Sequence, residues 1–520
     1  MSEADKYTEQ QPAPQQESTN NKKSCCCWWK YLLLSVVVLA LLSAIYLTVR
    51  FLTDEPVRYE KIEEHFKYGS LGGERNLGIP YWIWQAMPEV CADMLPDKQA
   101  KDIGFESVGM IYEGGNKLPV GVSSRRHLGI DRVFLNCAVC HASTVRQTAE
   151  SEPELVLGMP AHRFNLAAFE KFIFQCVGDY KFNRSYLMPT FESLGAELDF
   201  IDEYLVYPLA IWMVKERLQF AENRLQFVYL QPDWGPGRVD TFSSAKAIFN
   251  WNWGETPWRE MIGTADLPSI WHQGPRQQRD DGQPMALHWD GNNDSMEERN
   301  LSAAFGAGAQ PPIIDHDELA RIENWLLDLA PPAFPFVIDQ ALAEQGKPLY
   351  KNYCSACHGA SGTDFSGEKV GTVEPIDAIG TDRWRLDNYT RTVAINQGML
   401  YAGDERYRFK RFHKTNGYAN MPLDGIWLRA PYLHNGSVPT LYDLLKPAAQ
   451  RPQVFYRGND LYDATKVGFV SDIAKEKGQH YFRFDTRVDG NGSYGHEGYD
   501  YGTELKTDQK QALLEYLKTF

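Results

Sequence analysis

A chain of 520 residues with 53 Lys+Arg against 68 Asp+Glu carries a formal net charge of −15, which excludes the clustered basic surface that nucleic acid requires of a partner. The length exceeds what one hydrophobic core organises, so more than one folding unit is expected. With 9 Cys and 12 His, spacing rather than abundance carries the information.

The chain opens on a stretch rich in Gln, Glu, Thr and Asn that lacks apolar residues to pack, and residues 1–30 read as a disordered cytoplasmic tail. Tyr31 to Val49 is an uninterrupted uncharged run, and no small-residue cleavage site follows it, so 31–52 reads as a retained single-pass signal anchor. Lys22, Lys23 and Lys30 precede the run and orient its start to the cytoplasm, an asymmetry that Arg50 weakens. Cys25, Cys26 and Cys27, followed by Trp28 and Trp29, read as an aromatic and thiol belt at that interface. The rest of the chain is then expected outside a bacterial inner membrane, in the periplasm.

After the anchor, aromatic and loop residues from Tyr81, Trp82 and Trp84 onward show little helical periodicity and lead to Cys137, Cys140 and His141. Helical patterns follow at Phe164 to Val177 and at His316 to Leu329, the latter with Asp315 as N-cap. Pro331, Pro332 and Pro335 cannot continue a helix, and a domain boundary is expected there, dividing 53–330 from 331–520. Beyond it a helix carrying Gly346 and Tyr350 delivers the chain to Cys354, Cys357 and His358. A last helix, Thr507 to Phe520 with Thr507 as N-cap, is expected to cross it near Gly346.

The pentapeptide Cys-x-x-Cys-His thus occurs twice. Two thiols at this spacing add to the two vinyl groups of one haem, and the adjacent His ligates its iron. A shared zinc is disfavoured because the Cys pairs lie far apart in the chain, and a thioredoxin-like redox pair asks for a strand-helix context that neither motif has. The expected fold is mainly α with long loops: two cytochrome c-like haem domains, each with one covalent haem c, preceded by a single transmembrane helix. Cofactor contacts fall to Cys137, Cys140, His141, Cys354, Cys357 and His358. Covalent haem attachment is completed on the outer side of the bacterial inner membrane, in agreement with the anchor. Cys91 and Cys176 either pair there or stay buried as small apolar residues.

Five segments carry a family resemblance: IGTDRW (Ile379 to Trp384), PLDGIWLRAPYLHNGSVPTLYDLL (Pro422 to Leu445), HEGYDYGTELKTDQKQALLEYLKTF (His496 to Phe520), ADLPSIWHQ (Ala265 to Gln273) and LHWDGNNDSMEERN (Leu287 to Asn300). From about residue 75 onward the chain resembles the bacterial di-haem cytochrome c peroxidases and MauG-like enzymes, in particular the RoxA-like rubber-oxygenase branch. The resemblance implies iron ligation by His141 at the first haem and by His358 with His496 at the second, His496 standing where peroxidases of the family carry Met. It implies a non-ligating His434 near a haem, Glu297 as distal acid, and Trp289 as an electron relay or a core residue. Asn292 replaces the family's Arg, and Phe305 points to an apolar distal pocket. His162 is a weaker candidate for a resting-state ligand of the first iron. DGNND at Asp290 to Asp294 fails as an EF-hand, with Ser295 at the Gly position and Leu301 at the acid. Relatives hold a Ca2+ between the haems, for which the sequence assigns no ligands.

The function expected on this basis is peroxide reduction at the His141 haem, with electrons relayed by the His358 haem from a donor such as a small cytochrome c. The alternatives are a RoxA-like dioxygenase that cleaves an apolar alkene and a non-catalytic electron-transfer cytochrome.

Overall fold

The computed structural model describes residues 23–96 and 104–520, except the side chains of 23–27. Most of the expected N-terminal tail lies outside the described residues. The helix that follows, α1 (Lys23–Leu52), begins ahead of the expected Tyr31 because the Cys-Trp stretch continues it. Trp28–Leu52 is 25 residues long, enough to cross a bilayer, and is apolar around its circumference. Asp54–Phe520 form a separate compact unit.

That unit starts with a departure from the expected loop region. Strands β1 (Asp54–Pro56), β2 (Ile79–Pro80), β3 (Val122–His127) and β4 (Ile130–Leu135) form an antiparallel sheet in the order β1-β3-β4-β2, with a helix at Tyr81–Val90. The β3–β4 hairpin turns through Leu128 and Gly129, both at positive φ, as tight hairpins require. The sheet escapes period-2 reading because it buries charge. Arg125 is 2% exposed and donates to Asp54 at 2.6 Å, so an arginine stands where a strand pattern calls for an apolar residue.

Strand β4 runs directly into the first haem motif, whose Ala138–His141 form one helical turn followed by the β5 (Ala142–Val145) and β6 (Glu154–Leu157) hairpin. Next come α2 (Leu166–Gly178), capped by the Asn165 side chain, and α3 (Tyr207–Arg224). A disulfide joins Cys91 to Cys176 of α2 and resolves the pairing left open by the sequence. Helix α4 (Met296–Gly306) is capped by Ser295. Helix α5 (His316–Leu326) stops short of Leu329, and its Asp315 makes no capping bond; that carboxylate faces Arg125 at 3.9 Å.

The second haem motif has a different lead-in. Helix α6 (Gln340–Tyr353), capped by Asp339, ends at Cys354, and α7 (Thr507–Leu517) packs across it. A Cβ at Gly346 would collide with the Ala512 carbonyl oxygen and stand 2.9 Å from Tyr516 Cβ, so only glycine permits this crossing. Thr507 is the first helical residue rather than the N-cap: the cap is Lys506, whose backbone N–H donates to the Gln509 side chain at 3.0 Å.

Segments 53–330 and 331–520 interlock within this unit. Arg457 donates both Nη atoms to Asp266 at 3.0 Å, Arg385 donates to Asp290 at 3.1 Å, and Arg146 donates to Asp460 at 2.6 Å. Trp271, Met159 and Val145 belong to the apolar core around α6 and α7, while Tyr407 and Phe409 reach back into the core around the first haem motif.

Two candidate haem sites

At the first motif, Cys137 and Cys140 are free thiols, and His141 Nδ1 lies 2.9 Å from the Pro268 carbonyl. At the second, Cys354 and Cys357 are free, and His358 Nδ1 lies 2.7 Å from the Met421 carbonyl. A carbonyl at Nδ1 fixes the proton there and leaves Nε2 as the lone-pair nitrogen, the arrangement a proximal iron ligand needs. Burial, aided by Arg299, lowers His141 to about 4, and burial lowers His358. Both rings are therefore neutral at physiological pH.

Burial also pushes Cys137 up to about 11 and Cys140 and Cys354 up to about 12. A redox-active Cys-x-x-Cys has the opposite character, a thiol lowered toward neutrality. Among the described residues no cluster of three or more His, Cys, Asp or Glu is arranged to hold a metal ion. Of the DGNND carboxylates, Asp290 is engaged by Arg385 and Asp294 by Arg411.

The sites differ on the opposite face of the imidazole. His496, at positive φ, turns its ring toward His358 with the ring centres 6.2 Å apart. Two metal–nitrogen bonds of about 2.0–2.1 Å, plus about 1.1 Å from each ring centre to its nitrogen, sum to about 6.3 Å. The pair therefore fits one iron between two rings. Burial, then His358 and Arg451, lower His496 to about 3, which keeps its nitrogens available as ligands. Its Nδ1 is buried without a hydrogen-bond partner.

Among the described residues no second imidazole faces His141 in this way. The Cys137 side of that motif packs against an apolar cluster containing Ile270, Leu301 and Phe305. Phe305 is buried and meets the rings of Tyr401, Tyr407 and Phe409 at 5.6, 6.5 and 5.4 Å.

The other sequence candidates are dispersed. Glu297 is exposed in the first turn of α4, while its neighbour Glu298 accepts the backbone N–H groups of Lys410 and Arg411. Trp289 donates to the Asp266 carbonyl at 2.7 Å and packs against Ile376, Leu386 and Tyr418. Ile379, which packs against the same cluster, accepts the His496 N–H through its carbonyl. His434 stacks on Tyr418 at 4.0 Å and shares a 2.9 Å hydrogen bond with its hydroxyl. Asn292 holds His288 Nδ1 at 2.7 Å. His162 is buried and stacks on Phe469 at 3.8 Å, with both ring nitrogens free of hydrogen bonds.

Sequence reasoning missed three features. Glu170 of α2 is pushed up to about 8 by burial, keeps a buried Oε2 without a partner, and acts electrostatically on Cys140. A lone carboxylate inside the aromatic run FNLAAFEKFIF was its signal. Arg299 acts electrostatically on both His141 and His288.

The third is a strap between the sites. Pro268, which anchors His141, is followed by fully buried Trp271 and by His272, whose Nδ1 lies 3.0 Å from Asp424. Asp424 stands three residues after Met421, which anchors His358. Burial opposes ionisation of Asp424, but Arg276 and Arg429 hold it down to about 2. Gly425, at positive φ, admits the strap, since a Cβ there would lie 2.6 Å from the Trp271 ring.

A family model described as RoxA-like, cytochrome c-like, matches residues 417–456, the stretch holding Tyr418, Met421, Asp424 and His434. The match marks a cytochrome c-like domain in the C-terminal part of the chain, which implies haem c, and it contains Met421, the carbonyl partner of His358. Two proteins of Sinorhizobium fredii (strain NBRC 101917 / NGR234) are also similar. Uncharacterized protein y4iM is 32% identical over 285 residues, a match covering 49% of this chain and 64% of that relative. Uncharacterized protein y4iJ is 33% identical over 260 residues, covering 38% of this chain and 42% of that relative. The chain spans less than two thirds of either relative.

Proposed function

We propose that the chain is a membrane-anchored, periplasm-facing di-haem c oxidoreductase: Cys137, Cys140 and His141 would hold a haem that supplies chemistry on a small oxidant, and Cys354, Cys357, His358 and His496 would hold one that supplies charge storage. When bound, c-type haem supplies one-electron chemistry and, where a face is open, activation of dioxygen or peroxide. The observation that carries the reading is the unequal surroundings of the two proximal rings: an imidazole faces His358, and an apolar wall led by Phe305 flanks the Cys137 motif.

The chain's own residues divide the work. Pro268 and Met421 orient the proximal rings through their carbonyls. Leu301, Phe305 and the ring cluster beyond them exclude water and offer an apolar substrate van der Waals contact. The Trp271–His272–Asp424 strap holds the two proximal supports in fixed register.

This wall favours a RoxA-like dioxygenase acting on an apolar alkene. Cleaving a C=C bond into two carbonyls places both atoms of O2 in product with no net electron, so no proton-shuttling acid is required, and exposed Glu297 is not needed for it. Peroxide reduction is the second reading, which consumes two electrons and two protons per H2O2. Glu170, largely protonated at neutral pH and close to Cys140, is the observation that favours it.

The test is turnover of the purified full-length protein in two parallel assays. Incubation with 18O2 and an apolar alkene is expected to give labelled carbonyl products without added reductant. Rapid oxidation of a reduced small cytochrome c by peroxide, with no labelled product, would replace the first reading by the second. Silence in both assays with two six-coordinate low-spin haems would leave only electron transfer.

A further inference from the structure

Helix α3 and the turn before it carry large apolar side chains on both faces. Val206, Tyr207, Ala210, Ile211 and Val214 are buried against the body of the unit. On the opposite face Leu205, Leu209, Trp212 and Phe220 are 60%, 50%, 59% and 62% exposed. At 100° per residue Leu209, Trp212 and Phe220 fall within one stripe about 80° wide, which also holds the exposed Glu216, and Leu205 precedes them in the turn Asp202–Val206. A surface helix ordinarily turns polar residues outward, and single exposed apolar residues need no explanation. A stripe of two leucines, a tryptophan and a phenylalanine, preceded by Tyr204 at 55% and Phe200 at 76% exposure, is instead the mark of a surface with an apolar occupant.

We infer that this stripe docks on the membrane, α3 lying in the interfacial plane as a second, non-spanning attachment. The inference rests on the reading of α1 as a membrane span. The folded unit follows α1 almost without a linker: the helix ends at Leu52, and Asp54 is already paired in the sheet, opposite His127. A body tethered that closely meets the bilayer at a high effective concentration, so a modest apolar stripe suffices to hold it there. The stripe's composition fits the interface, with Trp and Phe for the headgroup and acyl boundary, Lys215 and Arg217 on its flanks, and Glu216 as the one carboxylate within it. Docking would fix the unit's orientation and bring lipid-dissolved molecules to its surface, a role separate from the haem chemistry.

The experiment places the photo-reactive residue p-benzoylphenylalanine in the full-length, haem-loaded chain in its native membranes, at Trp212, at Phe220 and, as control, at Val337, which is 94% exposed. These side chains lie on the surface, and haem content checks that each variant folds. Irradiation is expected to give lipid adducts at 212 and 220 several-fold above those at 337, read by mass spectrometry. Cross-linking at 212 to a second copy of the chain would overturn the proposal in favour of a dimer face. Equal, low adduct yields at all three sites would overturn it in favour of a solvated helix. Alkaline carbonate extraction of the same membranes separates the causes: retention without adducts rejects the docking alone, whereas release rejects the anchor and the docking together. Neither outcome bears on the oxygen and peroxide assays.

Discussion

The two haem motifs share a pentapeptide and little else. Cys354, Cys357 and His358 sit at the end of α6, braced by α7 through the Gly346 crossing, with His496 delivered to the far side by the loop ahead of α7. Cys137, Cys140 and His141 sit at the end of a β-hairpin, and the wall beside them is assembled from α4, α5 and residues 401–412. A helical cradle with a nearby loop sets a second imidazole, His496, opposite His358 within the same C-terminal segment. A motif at a sheet's end depends on distant elements, and these bring apolar side chains. In the proposed reading the same pentapeptide would hold a closed haem in one context and an apolar-walled one in the other.

The largest test of this contrast removes one cradle at a time. Cys354→Ala with Cys357→Ala, or Cys137→Ala with Cys140→Ala, is expected to drop covalent haem from two per chain to one, read by intact mass and haemochrome spectra. Two retained haems in either double variant would dissolve the assignment.

Ligand exchange sharpens the contrast next. His496→Met is expected to raise the potential of the second haem by on the order of 100–300 mV, since thioether ligation favours the ferrous state, while the first haem moves little. Spectroelectrochemical titration reads both, and an unmoved second potential would break the His358–His496 pair.

The ion pairs that interlock the two haem-bearing segments come third. Asp266→Asn leaves Arg457, 1% exposed on its side chain, without its carboxylate, at an expected cost of about 3–5 kcal/mol in denaturant unfolding. A loss below about 1 kcal/mol would mean that the guanidinium finds water or another acceptor.

The smallest effects concern acids and pH. Glu297→Gln is expected to stay within about 0.5 kcal/mol in stability and about twofold in turnover, as an exposed site should. Glu170 has a raised pKa, so the native state keeps its proton where the unfolded chain has lost it. Its contribution to stability is present below the unfolded carboxyl range and is lost as pH rises toward about 8. Asp424 has the opposite sign: held down to about 2, it contributes above the unfolded carboxyl range and loses that contribution as pH falls toward 2. Thermal melts across pH should show Glu170→Gln flattening the alkaline slope and Asp424→Asn the acid slope; unchanged slopes would remove those carboxyls from the account.

What the sequence determined by itself was local chemistry. Cys-x-x-Cys-His needs no tertiary context to be read, nor does an apolar run long enough to span a bilayer, nor the α6 and α7 periodicity with glycine at their crossing. The β1-β3-β4-β2 sheet was not legible, because Arg125 and Arg132 occupy inward positions and are satisfied by Asp54, Ser70 and the carbonyls of Glu74 and Arg75, far away in the chain. The Asp315 and Thr507 caps failed for a related reason: a capping residue is a local preference that a nearby arginine or a shifted helix start overrides. Tertiary structure alone decided which imidazole faces which, that Glu297 looks outward while Glu170 turns a buried Oε2 inward, and that Trp271 packs beside Gly425, between Pro268 and Asp424 of the strap. Those facts depend on segments far apart in sequence meeting at a few ångströms, and that is set by packing and by the pairing of buried charges, which no window along the chain contains.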